Sequence, residues 1–195
     1  MTAARKMPPR HMTVTEFLAW NTGDGTGATW QLRDGEPEAM APASDAHGSI
    51  QGELHRLIEN HLVALHSPYR SVIAPGVIPR VRSDRNMLVP DIGITCSPPS
   101  GDKSLPDPVV LIEILSPSNE TETRANVWAY TTIPTVTEIL IVDGSAVRAE
   151  VLLRRPDGFW PEQPEYLASA GELRIEAIGF AVPLRQVYRT FGVSE

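Results

Sequence analysis

The sequence predicts an α/β domain with a central mixed β-sheet and helices on both of its faces. Three observations lead there. Ile50, Leu54, Leu57, Ile58, Leu62 and Leu65 recur at spacings of three and four, the period of an amphipathic helix. The runs over 109–115 and 137–143 are apolar with almost no alternation, as in strands covered on both faces. A helical segment over 120–131 joins those two runs. Such a crossover within one sheet is right-handed and makes its two strands parallel. At 195 residues the chain is expected to hold one domain, over 13–195, behind a flexible tail over 1–12.

Each element follows from local chemistry. Thr13 and Glu16 form a capping-box pair at the start of a short helix over 13–20. A Gly-rich loop is expected over 21–28. Asp34-Gly35 supports a type I′ turn between two short strands over 30–40. Ser44 or Asp45 caps the long helix over 44–66, and Ser67-Pro68 ends it. The period then changes, predicting strands over 71–74, 77–82 and 88–95. Pro79 demotes the second to an edge or a bulge. A Pro/Gly/Ser-rich loop over 97–108 leads to the apolar run over 109–115. After the helix over 120–131 come strands over 137–143 and 146–154, a weaker one over 172–175, and a C-terminal helix over 184–190.

Composition narrows the function classes. The chain is 42% hydrophobic and 21% charged with a net charge of −7, ordinary for a water-soluble domain and against a surface dominated by phosphate binding. Arg70, Arg80, Arg82 and Arg85 form either a local basic patch or a solvated strand edge. Cys96 is the single cysteine, so no intrachain disulfide is expected. No apolar stretch approaches the roughly 18 residues of a membrane span, and the first residues lack the apolar core of a secretory signal. A cytoplasmic protein without membrane contact is the expectation.

Asp91 follows Pro90 at the end of one apolar run, and Glu113 lies inside another. An ionised carboxylate is costly to bury unless a cation, a proton or hydrogen-bond donors compensate it. If both face one side of a sheet, they suit a divalent metal such as Mg²⁺, with positions left for water and phosphate oxygens. The alternative is that Asp91 caps a strand end and Glu113 pairs with an arginine.

Several segments occur in a telling order: Met12-Thr13-Val14-Thr15-Glu16-Phe17-Leu18, Asp34-Gly35-Glu36, Met40-Ala41-Pro42, His47, Val89-Pro90-Asp91-Ile92, Ile112-Glu113-Ile114-Leu115-Ser116-Pro117-Ser118 and Ile141-Val142-Asp143. In that order the chain resembles the Uma-two family of restriction endonucleases, within the PD-(D/E)XK nuclease superfamily. The resemblance runs over about 12–155. It implies a restriction-endonuclease-like core with Asp91 and Glu113 as the metal ligands; Mg²⁺ or Mn²⁺ as the cofactor and DNA as the substrate are the hypotheses that go with it.

One departure bears on the chemistry. The third position of the Glu-x-Lys element is Leu115, and the segment of the next helix where such families carry a lysine, 123–128, has none. Lys6 and Lys103 are the only lysines of the chain. Arg124 is the expected cationic substitute, able to clamp a phosphate but too basic to take a proton. Its other reading is an ion pair with Glu120, four residues back. His47 and Gln51, one turn apart, face the carboxylates as proton shuttle and outer contact, or else sit at the surface. Ser116 and Ser118 are read as capping hydroxyls that contact a phosphate. Asn126 either hydrogen-bonds water or a metal ligand or, as the favoured reading, is exposed on the helix, and Trp128 and Tyr130 are expected to serve core or interface. Apolar residues near Trp128, Phe159 and Trp160 point to a homodimer. Two functions compete: a metal-dependent endodeoxyribonuclease, and an impaired nuclease fold kept as a binding module.

Overall fold

The computed structural model describes residues 11–20, 29–116 and 119–190. Most of the expected tail, the Gly-rich loop and residues 117–118 lie outside the described residues. Met12 is already buried, and its N–H donates to the Gly35 carbonyl at 2.7 Å.

Helix α1 (Val14–Ala19) starts as its sequence dictates. The Glu16 N–H donates to Thr13 Oγ1 at 3.2 Å, and the Thr13 N–H donates back to Glu16 Oε2 at 2.7 Å. Strands β1 (Trp30–Arg33) and β2 (Glu36–Ala39) form a hairpin. Asp34 and Gly35 take φ of 50° and 85°, the left-handed pair that a type I′ turn requires. Helix α2 (Asp45–Ala64) is capped by Ser44, whose Oγ accepts the His47 N–H.

A six-stranded sheet forms the centre, in the order β3 (Arg70–Ile73), β4 (Ile92–Thr95), β5 (Pro108–Leu115), β6 (Glu138–Asp143), β7 (Ala149–Leu153), β8 (Glu165–Leu167). Strands β5 and β6 are parallel, joined by α3 (Glu120–Tyr130); the other pairs are antiparallel. A second hairpin, β9 (Glu172–Ile175) with β10 (Phe180–Pro183), precedes the short α4 (Leu184–Val187).

The alternation of β5 divides the core in two. Ile112 and Ile114 pack with Leu54 and Ile58 of α2, and the β9–β10 hairpin and α4 cover the same face. Leu111 and Leu115 pack on the other face with Val127 and Tyr130 of α3. A satellite cluster of Met12, Val14, Phe17, Leu32 and Met87 fastens the N-terminal elements to the loop before β4.

The structure corrects the sequence reading in places. The strand expected over 77–82 shrinks to a single bridge, Val77 with Leu88, and the one expected over 88–95 forms only as β4, with Met87 before it bridging Leu32. Pro79 and Pro90 have no N–H to donate to a ladder there. The expected C-terminal helix is a single turn, without a side-chain cap at its start. Strands β8 and β10 were not expected. Trp160 is absorbed by the fold: its Nε1–H donates to the Thr131 carbonyl at 3.0 Å, and the Arg154 guanidinium lies 4.9 Å from its ring centre. Trp128 and Phe159 remain exposed. No helix of the described residues is long and apolar enough to cross a membrane.

Candidate metal centre

The antiparallel register pairs Ile92 with Ile112 and Gly93 with Leu111. Carried one residue further, it sets Asp91 beside Glu113. Glu113 alternates onto the α3 face with Leu111 and Leu115, and is only 5% exposed. The two carboxylates that the sequence singles out are therefore brought together at the junction of β4 and β5.

Glu113 bears the electrostatic consequence. Burial, reinforced by the negative charge of Asp91, pushes its carboxyl up to about 8. Hydrogen bonds oppose the rise. Tyr130 Oη donates to Glu113 Oε1 at 2.7 Å, and the Asn126 amide nitrogen lies 3.5 Å from the same oxygen. Burial and this carboxyl also raise the Tyr130 hydroxyl well above its ordinary value, so it stays a donor.

Glu122, Asn126 and Tyr130 repeat every four residues and form one polar stripe on α3. Glu122 is tied to the first hairpin, accepting from Gln31 Nε2 at 2.6 Å and from Arg33 Nη2 at 2.8 Å. Sequence reading missed Gln31, Arg33, Glu122 and the role of Tyr130. It also misplaced Asn126, which is buried because the stripe turns inward toward Glu113. The signal was the polar period of four on a helix flanked by two apolar strands.

Asp91 is held from two directions. His47 Nε2–H donates to its Oδ1 at 2.7 Å, and the Ile114 N–H donates to Oδ2 at 2.7 Å. Gln51 Nε2 donates to the Asp91 carbonyl at 2.8 Å. His47 and Gln51 thus face the site, because the first turn of α2 passes over the end of β4.

The donor set fits a hard divalent cation. Two carboxylates are adjacent, and the Asn126 Oδ1 is buried without a protein partner among the described residues. All three donors are oxygen, the preference of Mg²⁺, which commonly takes one or two carboxylates and keeps water and phosphate in its remaining positions. No group of three or more His, Cys, Asp or Glu side chains that could hold a metal forms among the described residues.

The remaining predicted residues lie elsewhere. Arg124 makes two hydrogen bonds with Glu150 and a 3.7 Å contact with Glu120. It is thus an ion-paired residue of the cavity beside the centre, and no contact joins it to Asp91 or Glu113 among the described residues. Leu115, Ser116 and Arg124 line that cavity of about 540 Å³. The cap position of α3 is Asn119, whose Oδ1 accepts the Ser116 N–H at 2.7 Å. Ser118 lies outside the described residues. Lys103 is far from the carboxylate pair, its Nζ donating to the Leu18 carbonyl at 2.8 Å. Arg82 pairs with Asp34, Arg85 with Asp84, and Arg70 donates to the Ser97 carbonyl, so the arginines are spread over separate partners.

An open mixed sheet with an α-helical crossover and two carboxylates on adjacent central strands defines a restriction-endonuclease-like fold. The family model for Uma2, described as "Putative restriction endonuclease", matches residues 14–185, and the chain belongs to that family. The fold is similar to the crystal structure of a "putative nuclease belonging to DUF820" from Anabaena variabilis ATCC 29413. That similarity has a TM-score of 0.69 at 16% identity, covering 91% of this chain and 98% of the other. No curated protein matches the sequence.

Proposed function

We propose that the protein is a metal-dependent endonuclease that hydrolyses DNA phosphodiester bonds, with Mg²⁺ or Mn²⁺ held by Asp91 and Glu113. The observation that carries this reading is the pairing of half-buried Asp91 with buried Glu113, whose carboxyl is pushed up to about 8. Such a pair calls for a cation where it must be ionised. A bound divalent ion would polarise the phosphoryl group, acidify water and neutralise the leaving oxygen. The chain's own residues orient that centre. His47 and the Ile114 N–H fix the Asp91 carboxylate, and Tyr130 fixes Glu113. The family description supports the nuclease class, and DNA follows from it as the proposed substrate.

Supercoiled plasmid is the test substrate. Wild-type protein should nick it in Mg²⁺ or Mn²⁺ and not in chelator, and an Asp91→Ala, Glu113→Ala double variant should not. Nicking that survives the double variant sinks the site assignment.

One observation favours a second reading, an impaired nuclease fold kept as a binding module. The α3 side chains that reach Glu113 are the uncharged amide of Asn126 and the hydroxyl of Tyr130, and the position two past Glu113 is Leu115. No ammonium group stands near the carboxylates among the described residues. Calorimetry separates the readings: Mn²⁺ binding without turnover supports the module, and robust turnover removes it. The homodimer belongs to the same proposal, with exposed Trp128 and Phe159 as the apolar contacts it would cover.

A further inference from the structure

The cavity beside the carboxylate pair is not explained by metal chemistry. It lies at the carboxyl ends of the parallel strands β5 and β6, under the first turns of α3. In open α/β sheets that crevice is the usual ligand position. Its volume of about 540 Å³ is within the range of small-molecule sites. Leu115 forms part of its wall, so the side chain that replaces the expected lysine serves this space.

The strand register relates the cavity to the centre. Glu113 pairs with Ile141, Ile141 with Glu150, and Glu150 with Tyr166. These four residues form one row across β5, β6, β7 and β8. At about 4.8 Å between strands, Tyr166 lies about 14 Å from Glu113 along the row. That is about four steps of duplex DNA at roughly 3.4 Å each.

The lining chemistry selects the ligand. Glu120, Asp143 and Glu150 carry three negative charges against two positive ones on Arg124 and Arg148. Both arginines are already paired, Arg124 with Glu150 and Arg148 with Asp143. A phosphate would meet net negative charge. A neutral ring with donors and acceptors on its edge would meet carboxylate and guanidinium groups on one wall and Leu115 on another. Tyr166 is 67% exposed at the rim and offers an aromatic face.

We propose that this cavity binds one nucleobase of the DNA strand, stacked on Tyr166 and hydrogen-bonded along its edge by Glu150 and Arg124. The proposal rests on the DNA reading above and gives that site a base subsite a few nucleotides from the bond that is cut. Bases taken out of a stack are recognised in this manner, by edge hydrogen bonds and an aromatic or apolar wall.

The test uses the full chain carrying Asp91→Ala and Glu113→Ala, so that no cutting intervenes, and an oligonucleotide bearing the fluorescent base 2-aminopurine. Fluorescence should be quenched on binding. Adding Tyr166→Ala should weaken binding about tenfold, as loss of one base–aromatic stack does. Ala168→Trp, which fills the cavity from its exposed rim, should abolish the quenching. Free nucleosides should compete, and inorganic phosphate should not. Equal binding by Tyr166→Ala and Ala168→Trp variants overturns the proposal, as does absence of quenching or competition by phosphate alone. Failure here leaves the endonuclease reading intact if wild-type protein nicks plasmid. Conversely, nucleosides that bind a protein unable to nick would keep the cavity assignment and sink the reading above.

Discussion

Without metal, Glu113 carries a proton at neutral pH, because burial and Asp91 raise its carboxyl from an ordinary 4.5 to about 8. The sign of the linked stability follows. A raised folded-state value stabilises fully below about 4.5 and is lost as pH rises through about 8. The melting temperature of metal-free protein should therefore fall more steeply from pH 5 to pH 9 than that of a Glu113→Gln variant, and Mg²⁺ should restore wild type at the alkaline end. Differential scanning calorimetry checks both. Tyr130→Phe removes the donor that holds Glu113, and should weaken Mn²⁺ binding about tenfold near pH 7, since a hydrogen bond to a charged group contributes about 1.5–3 kcal/mol. Asn126→Lys places an ammonium group on the helix position that reaches Glu113. Under the endonuclease reading it should raise the Mg²⁺-dependent nicking rate, and an unchanged rate would count against a missing cation as the limiting feature. Asp91 and Glu113 were legible in the sequence because carboxylates in apolar strand runs stand out, whereas His47 had a surface reading beside the inward one. Asn126 and Tyr130 were not legible, because a buried polar stripe on a helix has the same spacing as an exposed one, and only the packing of α3 on β5 tells them apart.

At the scale of elements, α2 joins the site to the rest of the molecule. Its apolar stripe of Ile50, Leu54, Ile58 and Leu62 is buried against β4 and β5, so Leu54→Ala should cost about 2–5 kcal/mol in urea unfolding. On the same helix Glu53 is buried between Arg56 and Arg189, whose hydrogen bonds hold its carboxyl down at about 2. That stability is present above about 4.5 and is lost as pH falls through about 2. Both arginines are about half exposed or more, so the expected cost of Glu53→Gln at neutral pH is about 1 kcal/mol, fading in acid. Helices α1, α2 and α3 and strands β5 and β6 were readable from period and capping. Strands β8 and β10 were not: three or four residues of mixed polarity, as in Glu165–Leu167, carry too little pattern, and their pairing partners supply the order.

At the scale of the whole molecule, the family pattern survives where the sheet needs it. The fold is shared at 16% identity, and here it is built on apolar strands and a crossover whose hand is general. The proposed homodimer makes a plain prediction: sedimentation should give a dimer at micromolar concentration, and Trp128→Glu should shift it to monomer. The central claim is that Asp91 and Glu113 together are a metal centre, and a crystal soaked in Mn²⁺ tests it most directly. An anomalous density peak is expected between the two carboxylates, lost in the Asp91→Ala, Glu113→Ala variant. No peak between them at saturating Mn²⁺, with Asp91 held only by its protein partners and Glu113 by Tyr130, would contradict the assignment.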